Sequence, residues 1–323
     1  MRYVLTRIVG IGLMFIGLNA HAASHYPERP VTLIVPFSAG SGSDTQARIL
    51  SESLTGQLGV PIVVENKPGA NGTIGASFVA RAKPDGYTFL LGSATTNAAN
   101  LSLYPSKRTG FDESSFVMVG VLSRGIIGMF VPSSFGWKSV DEFLAAARNG
   151  TAPSLTCGSG NSVTQVACEM FKVTAGVDAV TVPYKSNGQS LNDVAGGRVS
   201  YAFSDRTAAL PYMNGKLVRL QAVSADTRYE TLPEVPTLAE QGVPDMLFSS
   251  WTGVFAPAGT PPEIVHKVNA AINTWLRSPS AASLFEKTGA SFQETSVDES
   301  AAFYHAEASR WENYIEKTKV SVN

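Results

Sequence analysis

The sequence predicts an α/β protein made of two units, each a mainly parallel sheet flanked by helices. Three observations carry that prediction. Short apolar, β-branched runs alternate with amphipathic stretches from Arg29 onward. The alternation occurs twice, over 31–91 and again over 154–223. In each run a turn rich in glycine and serine follows a strand and opens a helix.

In the first unit, Val31-Thr32-Leu33-Ile34-Val35 is nearly continuous in apolar and β-branched residues, the mark of a buried strand. Ala47, Leu50, Leu54 and Leu58 recur at spacings of three and four and draw one apolar stripe along a helix. Between them lies Pro36-Phe37-Ser38-Ala39-Gly40-Ser41-Gly42-Ser43-Asp44, a strand-to-helix turn with Ser43 or Asp44 as the expected N-cap. Residues 61–65 read as a strand, 66–72 as a turn, 74–82 as a helix and 87–91 as a strand. The stretch 92–100, with Ser93, Thr95, Thr96 and Asn97, reads as a second polar loop. Two strands follow, 116–121 and 126–131; the second crosses Gly125 and Gly128, as suits a chain passing between domains.

In the second unit, Ser139-Val140-Asp141-Glu142 is a capping box for a helix to Arg148. Strands are expected at 154–157, 179–182, 199–203 and 217–223, and helices at 161–175, 189–195 and 207–213. Residues 224–250 read mostly as loop, punctuated by Pro233, Pro236 and Pro244, and 249–255 as a strand. Thr260-Pro261-Pro262-Glu263 opens a helix through Trp275, with proline where a missing N–H costs nothing. Ser296-Val297-Asp298-Glu299 caps a last helix that packs through Phe303, Trp311, Tyr314 and Ile315.

Composition narrows the function classes. Arg2 and Arg7 precede an uncharged run, Ile8 to Leu18, and Ala20-His21-Ala22 is a small-x-small cleavage site, so residues 1–22 are expected to be a secretory signal peptide. Losing them leaves 23 basic and 26 acidic residues, a net charge of −3 without a basic tract, which argues against nucleic acid or an anionic membrane as partner. The two cysteines, Cys157 and Cys168, are placed on a strand and well inside the next helix, and are expected to be separate buried thiols. No cofactor is expected: the sequence holds no phosphate-binding lysine loop, no cluster with metal-ligand spacing and no third glycine after Gly40-Ser41-Gly42.

The strand-to-helix turn at 36–44 presents unpaired backbone amides beside the positive end of a helix, an environment that favours an anion. Thr156-Cys157-Gly158-Ser159-Gly160-Asn161-Ser162 is its counterpart in the second unit. Facing each other across a cleft, the two turns could hold one carboxylate or both ends of a diacid. Ser204 and Asp205 close the strand at 199–203 and either enter the same cleft or cap the next helix; Arg206 beside them either neutralises Asp205 or reaches a second ligand carboxylate. Tyr87, Trp251 and Phe255 either line an aromatic wall or pack in a core. A catalytic reading lacks its base. Of the four histidines, His21 and His25 flank the leader's end, and His266 and His305 sit on expected surface helices. A secreted serine hydrolase using Ser43 or Ser159 without histidine is the alternative.

Several motifs in order resemble one family. They are Tyr26-Pro27-Glu28-Arg29-Pro30 leading into the first turn, then Val64-Glu65-Asn66-Lys67-Pro68-Gly69-Ala70-Asn71-Gly72 and Lys83-Pro84-Asp85-Gly86-Tyr87. Val182-Pro183-Tyr184-Lys185, Gly196-Gly197, Pro233-Glu234-Val235-Pro236-Thr237 and Ala256-Pro257-Ala258-Gly259-Thr260-Pro261 complete the set. Together they resemble the Bug family of periplasmic solute receptors of tripartite tricarboxylate transporters. The resemblance implies a two-lobed type II periplasmic-binding-protein fold, a Venus flytrap, with 23–124 plus 225–323 as domain 1 and 125–224 as domain 2. It implies no enzyme activity and a small organic carboxylate as ligand: a di- or tricarboxylate or an aromatic acid. A monomer would deliver that ligand to membrane permease subunits or a sensor kinase. By the same resemblance the ligand is held by Phe37, Ser38, Ala39, Gly40, Ser41, Ser43 and Asp44, with Ser93, Thr95, Thr96 and Asn97, and by Ser159, Gly160, Asn161 and Ser162. Two departures bear on specificity. Gly40-Ser41-Gly42-Ser43 replaces a glycine-glycine-glycine-threonine run, and Ser204 stands where an aspartate is common, which puts an amino-acid ligand in doubt.

Overall fold

The computed structural model describes residues 26–149 and 154–320; the expected leader lies outside them. Its strands are β1 (Val31–Val35), β2 (Ile62–Asn66), β3 (Thr88–Ser93), β4 (Phe116–Pro132), β5 (Leu155–Ser159), β6 (Ala179–Pro183), β7 (Tyr201–Asp205), β8 (Val218–Val223) and β9 (Ser249–Pro257). The longer helices are α1 (Gly42–Leu58) and α2 (Thr73–Ala80), followed after two short turns, α3 (Asn100–Leu103) and α4 (Ser106–Thr109), by α5 (Val140–Arg148) and α6 (Ser162–Ala175). Then come α7 (Asn187–Ala195), α8 (Arg206–Asn214), α9 (Pro262–Leu276), α10 (Pro279–Thr288) and α11 (Val297–Thr318).

The strands run in the order β2-β1-β3-β9-β4-β7-β5-β6, with β8 pairing β4. Parallel triplets lie at the two ends, β2-β1-β3 and β7-β5-β6. Antiparallel β9, β4 and β8 join them. The two strands expected at 116–121 and 126–131 are therefore one. Up to Ile126, β4 pairs with β9; from Ile127 it pairs with β7, and from Gly128 also with β8. One strand thus serves both lobes of the two-lobed fold.

Burial explains the apolar runs. Val31, Leu33 and Val35 face one cluster with Leu50, Ile272 and Trp275, while Ile34 faces the other with Leu90 and Val121. The second cluster continues into the other lobe through Met129, Phe171, Tyr201 and Phe203. Helix α11 covers it. Tyr304 packs on Phe255, Phe303 on Trp251, and Trp311 and Tyr314 on Phe248. Its capping box is complete, with Ser296 Oγ accepting from the Glu299 amide and Glu299 accepting from the Ser296 amide.

The structure corrects two expectations about local structure. Cys157 and Cys168 form a disulfide with Cα atoms 5.9 Å apart. The turn at 159–161 folds α6 straight back along β5, so a helix residue two turns in lies over the strand and within bridging range. The polar stretch at 92–100 is helical rather than loop: β3 extends to Ser93, and Thr95–Ala99 forms a wide turn leading into α3. Its small side chains let α11 pack close, and Thr95 through Ala99 are all buried.

Candidate functional site

Each expected turn sits where its half-sheet reverses direction. From β1 the chain moves outward to β2, then crosses back over β1 to reach β3. From β5 it moves to β6, then crosses back to β7. A crevice opens at the carboxyl end of the central strand at each such reversal, and that is where α/β sheets take ligands.

The N-cap of α1 is Ser41, not Ser43 or Asp44. Its Oγ accepts from the Asp44 amide at 3.2 Å, and Gly40 enters the turn at φ +81°, a conformation that suits glycine. Gly42 and Ser43 thus become the first two helical residues, whose amides have no acceptor among the described residues. Asp44 turns away from the cleft. Its carboxylate accepts from the Gly40 amide at 2.9 Å, Asn66 Nδ2 at 3.0 Å and the Arg48 guanidinium at 3.0 Å. It therefore holds the loop's shape instead of opposing a bound anion. The Arg48 hydrogen bond, with those from Gly40 and Asn66, lowers its pKa to about 2. A carboxyl with a depressed folded pKa stabilises the fold above its usual pKa and loses that contribution as pH falls through the folded value. Stability should therefore fall between about pH 4 and pH 2. Urea melts across that range should show this loss, and Asp44→Asn should flatten it.

In the second lobe Asn161 caps α6, accepting from the Thr164 amide at 3.0 Å. The amides of Gly160 and Asn161, expected as ligand donors, instead donate to Thr164 Oγ1 at 3.0 and 3.2 Å. Gly160 is required by space. A Cβ there would lie 2.1 Å from the Asn187 amide nitrogen, since the β6–α7 turn packs directly on it. Gly160→Ala should cost about 1–3 kcal/mol by overpacking, read as a lowered denaturation midpoint, and should displace Asn187.

The two turns face one cleft of about 780 Å³. Of the expected ligand residues, Phe37, Ser38, Ser41, Ser43, Ser93, Thr95, Gly160, Asn161 and Asp205 line it. Ala39, Gly40, Asp44, Thr96, Asn97, Ser159, Ser162 and Ser204 do not. Thr96 and Asn97 are buried against each other, with Thr96 Oγ1 donating to Asn97 Oδ1 at 2.7 Å. Ser162 Oγ donates to Asn100 Oδ1 at 2.7 Å, a buried bond between the lobes. Ser204 is fully buried. Asp205 both lines the cleft and caps α8, accepting from the Ala208 amide at 2.8 Å and Asn187 Nδ2 at 2.9 Å. Arg206 is not among the residues that line the cleft, and its guanidinium packs on Gly289 just past α10. Trp251 lines the cleft, whereas Tyr87 meets Tyr26 edge-on and Phe255 packs in the core.

Sequence reasoning missed three parts of the wall. Gln46 Nε2 donates to Ser123 Oγ at 3.3 Å, Thr252 Oγ1 donates to Gln46 Oε1 at 2.9 Å, and the two hydroxyls are 2.8 Å apart. The second part is the turn containing Ala70 and Asn71, both with positive φ, where the Asn71 carbonyl accepts from Asn100 Nδ2 at 2.9 Å. The third is α10, with Leu284, Phe285 and Thr288. Its signals were readable, with serine-proline at its start and glycine just past its end.

The tripartite tricarboxylate transporter family receptor signature matches residues 46–320. The chain belongs to that family. The receptor is 32% identical over 318 residues to protein BugT of Bordetella pertussis, covering 97% of each chain. It is also similar to two solved structures from Rhodopseudomonas palustris. MatC with bound malate superposes with a TM-score of 0.79 at 31% identity, covering 90% of this receptor and 100% of MatC. Rpa4515 with adipate superposes at 0.82 and 33% identity, covering 92% and 99%. The chain is thus a Bug-type periplasmic binding protein, and no helix among its described residues is long and apolar enough to cross a membrane.

Proposed function

We propose that this receptor captures a small organic carboxylate between its lobes and hands it, unchanged, to membrane permease subunits or to a sensor kinase. The observation that carries the reading is the mouth of α1. Gly42 and Ser43 offer unpaired amides into a cleft shared by both lobes, beside the hydroxyls of Ser38 and Ser43. Charge-assisted hydrogen bonds from such donors contribute about 1.5–3 kcal/mol each. The malate in MatC and the adipate in Rpa4515 support a carboxylate. The first domain would comprise 23–124 plus 225–323 and the second 125–224, divided where β4 changes partners and where β8 ends. Segment 224–248 leans on the second lobe, where Gln241 Oε1 accepts from the Val140 amide at 3.2 Å. Residues 1–22 would be removed on export. Closure would dry the anion and bring Asn161 and Lys185 towards it.

The hydrolase alternative requires a base beside Ser43 or Ser159. Ser159 is buried off the cleft, and His266 and His305 lie exposed on α9 and α11. Calorimetric titration with malate, adipate, citrate and benzoate, followed by mass spectrometry of the recovered acid, tests the reading. Saturable binding with intact acid is expected; turnover, or no heat with any acid, would refute it.

A further inference from the structure

We infer that the preferred acid is a monocarboxylate with an apolar body, and that α10 is the element that selects it. This rests on the carboxylate reading above and narrows it.

Donors free to meet an anion gather at the mouth of α1, and most polar side chains elsewhere on the wall are engaged with one another. Gln46, Ser123 and Thr252 close a ring of hydrogen bonds. Asn187 spends its amide nitrogen on Asp205 and its oxygen on Thr164 Oγ1. The Asn161 side-chain oxygen accepts from the Thr164 amide, which leaves its nitrogen as a donor at that turn. Elsewhere along Gln46, Ser123, Thr252 and Asn187 a second carboxylate would displace bonds already made, and burying a charge without partners is costly.

Charge on the wall points the same way. Among the described lining residues Lys185 is the one cation, and no arginine is present. Lys185 lies two residues from Asn187, which is bonded to Asp205, the one acid on the wall. A second ligand carboxylate at that end would meet Asp205 as well as Lys185, and Lys185 is exposed to solvent, where its attraction is screened.

Part of the wall is apolar. Leu284, Phe285 and Ala290 come from α10 and its exit and share the cleft with Phe37, Ile127 and Trp251. The charged residues of α10, Glu286 and Lys287, are exposed and off the cleft. The helix is fixed to both lobes: Ser291, just past it, bridges Arg124 of β4, and the Thr288 carbonyl accepts from Thr207 Oγ1 of α8 at 3.3 Å. An apolar ligand body against this wall would leave water without displacing a hydrogen bond.

The test uses two pairs of acids that differ by one carboxylate, hexanoate with adipate and benzoate with terephthalate, titrated calorimetrically into the processed protein. The monoacid of each pair should bind at least tenfold tighter. Leu284→Arg, which adds a cation to the apolar wall, should weaken hexanoate at least tenfold and reverse its order with adipate. Thr288→Arg, at the partly exposed helix end, serves the same purpose should the first variant misfold. A diacid that equals or exceeds its monoacid in either pair overturns the inference, as does an arginine variant that leaves the order unchanged. If malate or citrate binds and neither monoacid does, the inference falls while the carboxylate reading stands. If no acid of either set binds, both fall.

Discussion

Replacing Ser43 with aspartate should abolish acid binding while leaving the protein folded. Ser43 is the second residue of α1 and lines the cleft, and its own amide has no acceptor among the described residues. If, as proposed, that amide holds the acid, a carboxylate placed there would lie about 4 Å from it. Two like charges at that distance repel by about 4 kcal/mol at an effective dielectric constant near 20, a loss of about 1000-fold in affinity. The same charge is welcome to the helix, whose N-terminal end favours an anion by about 0.3–1 kcal/mol. Melting temperature should therefore hold or rise as affinity collapses. Ser43→Asn, which adds similar bulk without charge, should retain binding within about tenfold. Loss of binding in both variants would mean that shape, not charge, is what the substitution disturbs.

Removing the disulfide should give the second large effect. Cys157 and Cys168 are 11 residues apart and tie β5 to α6, the strand and helix that flank the second lobe's turn. Closing a loop of that length removes unfolded-state entropy equivalent to about 3 kcal/mol. Reduction, or the Cys157→Ala/Cys168→Ala variant, should lower the melting temperature by about 5–10 °C. Both side chains are fully buried, so reduction should require partial unfolding and proceed slowly in the native protein. A melting temperature unchanged by complete reduction would contradict this.

Much of the fold was legible because burial leaves a plain mark. β1 is covered on both faces and reads as a continuous apolar run, and α11 carries its capping box in four adjacent residues. What sequence could not show was where chains meet. Whether 116–132 is one strand or two depends on β9 supplying partners along the first half and β7 and β8 along the second. Cys157 and Cys168 look distant when counted along a strand and a helix, and become neighbours only once α6 folds back.

The site was legible in the same uneven way. Both glycine-serine turns were found, because a strand, a small-residue turn and a helix stripe are local signals. The use of their amides was not local. Thr164 takes the donors of Gly160 and Asn161, and Asp44 is drawn off the cleft by Asn66 and Arg48. The apolar wall from α10 lies some 240 residues along the chain from the turn at 36–44 on the same cleft, and only tertiary packing joins them.

The most direct measurement is amide NMR of the processed protein labelled with nitrogen-15 in glycine and serine, titrated with an acid that raises its melting temperature. The Gly42 and Ser43 amide protons should move downfield along one saturation curve, with the same dissociation constant as calorimetry. Saturable binding that leaves those two resonances in place would show that the acid is held elsewhere.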